Sequence, residues 1–309
     1  MSLHFDRITV LGATGPTGRE IANLLASRGR RVRAVSRRRA ALEAAFPGDA
    51  VERREGDALD ARSLRSALEG CDLVVDCVGL PGDAMADHPR VARALAEAFR
   101  AAGARCVQVS SYWSFVPIAA LPVRESSPRA GGPPWARFRR EAEDVLREAG
   151  AAIVHLPDFF GPNVHTSTLQ MPLREAAAGK PMSWIGGADV ARDYLHVPDA
   201  MRIVADLASR EDAYGKGWIV PGSGPITGAE VARLAGEILG RPVKLRAAAP
   251  WLLRLLGLFD RDLRGFLQLV PTYVSPLRFD GSRLDALLGP TPRTPYREAL
   301  RATLASLRG

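Results

Sequence analysis

Five short, almost wholly apolar runs recur along the first half of the chain: Ile8–Leu11, Val32–Val35, Leu73–Val78, Cys106–Val109 and Ala152–Leu156. Between them lie stretches rich in alanine, leucine and arginine, with apolar residues at helical spacing; Arg19–Ser27, Ala61–Leu68, Pro89–Ala102 and Arg137–Ala149 are the clearest. A strand with so few polar side chains needs cover on both faces, and helices alternating with such strands supply it. The sequence therefore predicts an α/β chain built on a doubly wound parallel sheet.

Beyond residue 165 the rhythm changes. Helical spacing at Leu169–Ala178 and Pro198–Ser209 flanks a short strand at Met182–Ile185, and Gly217–Val220 reads as a strand returning to the sheet. Helices then dominate, at Ala229–Leu239, Trp251–Leu258, Asp262–Val270 and Tyr296–Leu307, separated by glycine and proline punctuation. This second half predicts a smaller, mainly helical lobe.

Composition narrows the function. The net charge of +8 comes from 42 basic residues, of which only Lys180, Lys216 and Lys244 are lysines; the arginines are scattered, with one dense run at Arg37–Arg39. Without a helix-turn-helix, zinc-finger or aromatic-platform pattern, that excess does not make a nucleic-acid surface. No apolar run reaches the roughly 18–20 residues of a membrane span, and Met1–Asp6 lacks the features of a secretory signal, so the expected compartment is the cytoplasm. Cys71, Cys77 and Cys106 lack metal-ligand spacing and read as free thiols; no metal site is expected.

Gly12-Ala13-Thr14-Gly15-Pro16-Thr17-Gly18 lies between the first strand and the first helix. Glycines there allow a tight turn and let backbone N–H groups approach a pyrophosphate at the positive end of the helix dipole. Pro16 suits a helix start, where its missing N–H costs little. The second strand ends at Ser36, followed by Arg37 and Arg38. An acidic residue at this point would repel a 2′-phosphate; serine removes the repulsion and arginine supplies a fork for the phosphate. NADP(H) is thus expected over NAD(H). Asp57 is placed to reach the adenine amine, or else to cap the next helix. Ala58, Cys77, Val78, Gly79, Ser110, Pro157 and Phe160, at or near strand ends, complete the expected cofactor contacts.

Together with Gly12–Gly18, four further motifs are similar to those of the extended short-chain dehydrogenase/reductase superfamily, the NAD(P)-dependent epimerases and dehydratases: Gly56-Asp57, Val109-Ser110-Ser111, Pro157–Pro162 and Arg192–Asp199. The resemblance implies a Rossmann-type NADP-binding domain at 1–165, with 190–225 returning to it. It also implies a substrate lobe at 166–189 and 226–309, a cleft between the two, and a possible homodimer. His196 and Asp199 resemble the element that anchors the loop between lobes, and Arg192 an arginine that contacts substrate phosphate in some members.

The family's chemistry implies a serine after the fifth strand, then tyrosine and lysine four residues apart on the next helix. Ser111 matches the serine, but Trp135 stands at the tyrosine position and Arg139 at the lysine position. An indole N–H donates a hydrogen bond without exchanging its proton near neutral pH, and arginine stays charged. Two readings of that helix remain open. Trp135 and Arg139 line the site and reach the ribose, or Trp135 packs and Arg139 pairs with Glu143 at i,i+4. Ser111, Tyr112, Trp135 and Arg139 are the catalytic candidates. Trp113, Phe115, Asp158, Phe159, Asn163, His165, Trp184 and Arg192 are the substrate candidates, while His155 reads as a core histidine. The function expected first is NADPH-dependent reduction of an activated C=C, C=N or C=O bond in a small, flat, apolar substrate. A non-catalytic NADP sensor acting through a protein partner is the alternative, and sugar-nucleotide epimerisation or dehydration a third.

Overall fold

A computed structural model describes residues 2–80, 82–165, 167–248 and 270–308. The first unit runs β1 (Arg7–Leu11), α1 (Pro16–Ser27), β2 (Arg31–Ser36), α2 (Arg39–Ala45), β3 (Val51–Glu55), α3 (Ala61–Ala67), β4 (Leu73–Asp76), α4 (His88–Ala101), β5 (Arg105–Ser111), α5 (Pro134–Glu148) and β6 (Ala152–Leu156). There follow β7 (Asp158–Phe160), α6 (Gln170–Ala177), β8 (Met182–Ile185), β9 (Arg192–His196), α7 (Val197–Ala208), β10 (Gly217–Ile219), β11 (Pro225–Ile226), α8 (Gly228–Leu239) and β12 (Leu245–Ala248). The described chain closes with α9 (Val270–Tyr273), α10 (Ser282–Leu288) and α11 (Tyr296–Ser306).

Seven parallel strands form the central sheet in the order β10-β6-β5-β4-β1-β2-β3. Alternation within each strand divides the core. Val10, Val75, Val107 and Val154 pack under α1 and α7, whereas Val74, Cys106 and Ile153 pack under α3, α4 and α5. The doubly wound parallel sheet expected from the sequence is present, and the returning strand is β10, paired with β6. The sheet order reverses between β1 and β4, so a crevice opens at their carboxyl ends, where open α/β sheets take ligands.

A second core joins Leu169 and Leu173, Met182 and Trp184, Val231 and Leu234, and Leu300 and Leu304. Thr227 and Glu230 form a capping box that starts α8, and Gly240 ends it in the left-handed conformation at φ 69°.

Several boundaries differ from the sequence reading. Helix α1 begins at Pro16 and α5 at Pro134, each three residues early, because proline, which has no N–H, forfeits no hydrogen bond in a first turn. Strand β4 stops at Asp76, whose carboxylate accepts from Val78 N at 3.0 Å and bends the chain away. The small sheet β11-β9-β7 was not expected, since its strands are only two to five residues long and polar. The helix expected at Trp251–Leu258, and all but the last residue of that at Asp262–Val270, lie outside the described residues. Among the described residues no helix is long and apolar enough to cross a membrane.

Candidate active site

The glycine turn connects β1 to α1 at the carboxyl edge of the sheet. Gly12 has φ +67°, and a Cβ there would lie 2.7 Å from Cys77 O, so both conformation and contact demand glycine. At Gly18 a Cβ would meet Gly12 O at 2.4 Å, which lets α1 sit directly on the turn. Gly15 is different: a Cβ would meet only Gly12 O, at 3.3 Å. Gly15 is the N-cap of α1 and provides no side-chain acceptor, so the first N–H groups of the helix stay open to an anion. This cradle fits a dinucleotide pyrophosphate. Thr17 is buried and faces the Cys77 thiol.

At the end of β2 the Thr14 and Ser36 hydroxyls lie 3.0 Å apart. Arg39 is taken by Glu43 at 2.8 Å and by Arg53 O. Arg37 and Arg38 are exposed, and neither guanidinium is joined to another described residue by an ion pair or hydrogen bond. Asp57 does not cap α3; Asp60 does, and Asp57 instead accepts from Leu59 N at 3.0 Å. Ala58, Cys77 and Val78 are half-buried beside this edge, and Gly79 is exposed.

At the end of β5, Ser110 and Ser111 diverge. Ser111 Oγ accepts from Trp113 N at 3.3 Å and caps the short turn Tyr112–Phe115, which leaves its own proton free to donate. Ser110 is buried, donates to Glu143 and accepts from Arg139 Nη1 at 3.3 Å. The direct i,i+4 pair between Arg139 and Glu143 does not form. Glu143 is bound instead by Arg129 at 2.7 Å and His155 at 3.2 Å. Burial alone would raise the Glu143 carboxyl, but His155, Arg129 and Ser110 outweigh it and hold the group down at about 2.

The Arg139 guanidinium lies 5.8 Å above the Trp113 ring. Burial, together with that cation, pushes His88 down to about 4, so the imidazole stays neutral. Trp135 is 8% exposed and packs edge-on to Trp113 at 5.4 Å, in an apolar cluster with Val116, Tyr273, Met85 and Ile185. Its Nε1–H, like that of Trp113, is buried without an acceptor among the described residues.

A second buried cluster ties the turn after β5 to β7, β9 and α9. Arg192 Nη2 donates to the Tyr112 hydroxyl at 3.1 Å and to Asp158 at 3.3 Å; Nη1 donates to Thr272 O and, at 2.8 Å, to Ser275 O. Tyr112 in turn donates to Asp158 at 3.2 Å, and Tyr273 approaches the same carboxylate at 3.5 Å. Burial and the Asp158 charge push the Tyr112 phenol well up, so it stays protonated.

The remaining candidates disperse. Phe115 stands edge-on to His155 at 4.9 Å, and Trp184 packs on Gly228 in the second core. Phe160 stacks on Tyr296, Phe159 packs against the first core, Pro157 is buried, and Asn163 and His165 are exposed. Asp199 anchors Thr294 through bonds of 2.7 and 3.1 Å. Glu143, Arg129 and Tyr273 were missed by the sequence reading. Only Glu143 had left a trace, as the residue four after Arg139.

The sequence profile of the NAD(P)H-binding family matches residues 12–156. The chain is 29% identical to sterol demethylase protein B of Methylococcus capsulatus over 97% of both proteins. It is 30% identical to ceramide reductase of Caulobacter vibrioides over 82% of this chain and 77% of that one. Among solved structures, UDP-glucuronic acid 4-epimerase of Bacillus cereus with NAD superposes at a TM-score of 0.81 over 98% of each chain, at 15% identity, a likeness of fold.

Proposed function

The chain belongs to the NAD(P)-dependent epimerase/dehydratase superfamily of extended short-chain dehydrogenases/reductases, and on that premise we propose that it is an NADPH-dependent reductase of a flat, apolar substrate. The coenzyme would be held by the Gly12–Gly18 cradle, with its 2′-phosphate on Arg37 and Arg38, exposed cations beside the neutral Ser36. When bound, NADPH supplies a hydride.

The observation that carries this reading is the buried Trp135 Nε1–H, without an acceptor among the described residues, where the family places a phenol. Epimerisation and dehydration begin by removing a hydroxyl proton, and neither an indole nor a guanidinium accepts one. Reduction asks less. Trp135 Nε1–H and the Ser111 hydroxyl hold the substrate heteroatom while negative charge develops on it. Water would supply the proton that completes the reduction, since neither side chain gives one up. The buried Arg192 also speaks against a sugar nucleotide, because it is 2% exposed and already bound to protein acceptors. The Trp113, Trp135, Ile185 and Val116 wall suits an apolar substrate, and the two relatives named for a sterol and a ceramide support that class.

The test is NADPH consumption with enones, imines, quinones and keto-lipids. Turnover is expected with at least one class, and Trp135→Phe should lower kcat/KM about a hundredfold, as loss of one such donor does elsewhere, without changing NADPH affinity. No turnover with any class overturns the proposal.

A further inference from the structure

Glu143 is the fixed end of a hydrogen-bond chain that terminates on Arg139. The carboxylate is 2% exposed; one oxygen accepts from Ser110, the other from Arg129 at 2.7 Å and His155 at 3.2 Å. A serine hydroxyl has one proton. With that proton committed to Glu143, the Ser110 oxygen can only accept, and what it accepts is Arg139 Nη1 at 3.3 Å. No Arg139 nitrogen is both buried and without a partner. Ser110 is the penultimate residue of β5, and Asp76, whose charge also acts on Arg139, closes β4. Both lie at the sheet edge that carries the glycine turn, where Gly12 abuts Cys77 O.

An arginine in this place needs such a device. Lysine presents a compact ammonium with rotating donors, whereas a guanidinium is a rigid plane whose donors fall where the plane is set. We propose that Glu143 is a positioning residue which, through Ser110, aims the Arg139 guanidinium at the nicotinamide-ribose half of the bound dinucleotide. The inference rests on the reading that this cleft takes NADPH. Trp113 beneath Arg139 supplies a second restraint on the same plane.

Behind the carboxylate lies a cavity of about 270 Å³, walled by Glu143 and His155, with Arg129, Arg147, Lys216 and Arg283 also lining it. A small carboxylate can therefore reach the place that Glu143 fills when its side chain is cut back, and the cationic lining favours it.

The experiment compares NADPH with 2′,5′-ADP, which lacks the nicotinamide half, by calorimetric titration of the full-length protein. Glu143→Gln and Ser110→Ala are each expected to weaken NADPH about tenfold, the size of one charge-assisted hydrogen bond. Both should leave 2′,5′-ADP within about twofold of the parent. The double variant should lose no more than either single one, because both act along one path. In Glu143→Ala, formate should restore NADPH affinity saturably and leave 2′,5′-ADP unchanged. Equal losses for the two nucleotides, additive losses, or no response to formate overturn the inference. If the Glu143 variants do not fold, Ser110→Ala decides alone, since an unchanged NADPH affinity there breaks the chain. A parent protein that binds neither nucleotide overturns the cofactor reading and the inference with it. A parent that binds NADPH as tightly as both single variants overturns only the inference.

Discussion

Arg37 is a cation without a partner on the described chain, placed just past the neutral Ser36. Arg37→Ala should therefore weaken NADP binding by about 1–3 kcal/mol, the magnitude of a charged hydrogen bond, and leave NAD nearly unchanged. Parallel titrations with the two cofactors check this, and equal losses would make Arg37 a structural residue. Such residues were legible in the sequence because their meaning is local: a position counted from a glycine turn and a strand end. Glu143 was not. Its partners Ser110, Arg129 and His155 come from β5, the loop before α5 and β6, and no helical spacing relates them to it. Arg192 was legible as a motif, and yet the motif implied a substrate phosphate where the structure shows a guanidinium bound by Tyr112, Asp158 and two carbonyls.

At the scale of the element, the β1–α1 turn separates two kinds of glycine. An alanine Cβ at Gly18 would press on backbone atoms at 2.4 and 2.8 Å, which cannot yield, so α1 must shift off the sheet. At Gly15 the Cβ would find a single neighbour, at 3.3 Å, so on the proposed cofactor reading its cost falls on the bound pyrophosphate and not on the fold. Gly18→Ala is thus expected to lower the melting temperature by several degrees, in line with a loss of about 1–3 kcal/mol. Gly15→Ala should keep the melting temperature and lose NADPH affinity. Thermal scans with and without cofactor distinguish the two, and identical behaviour would refute the division of labour. The central strands were readable because parallel strands buried on both faces are apolar throughout. The small strands β7, β9 and β11 escaped for the opposite reason. They are short and carry Asp158, Arg192, Asp193 and His196, so neither a run nor an alternation marks them.

The molecule as a whole buries carboxyl groups that respond to acid in opposite senses. Burial pushes both Asp76 and Asp193 up to about 6. The folded state holds those protons more tightly than the unfolded chain does, so their contribution to stability falls as pH rises from about 4 to about 6. Glu143, held down at about 2, contributes fully above the ordinary glutamate value, and that contribution is lost as pH falls from there to about 2. Asp76→Asn should accordingly stabilise the protein at pH 7.5 by roughly 1–3 kcal/mol and much less at pH 4.5. Gln108, whose Oε1 lacks a partner, can turn to receive the new amide. Denaturant melts at the two pH values check the sign, and a gain confined to pH 4.5 would refute it. The cluster around Arg192 constrains any attempt to recombine this fold with a relative. Positions 112, 158, 192 and 273 share one buried charge system although they fall far apart along the chain. A chimera that exchanges the carboxyl-terminal half alone would strand a guanidinium or a carboxylate at the seam; viable crossovers must transplant those four positions as a set.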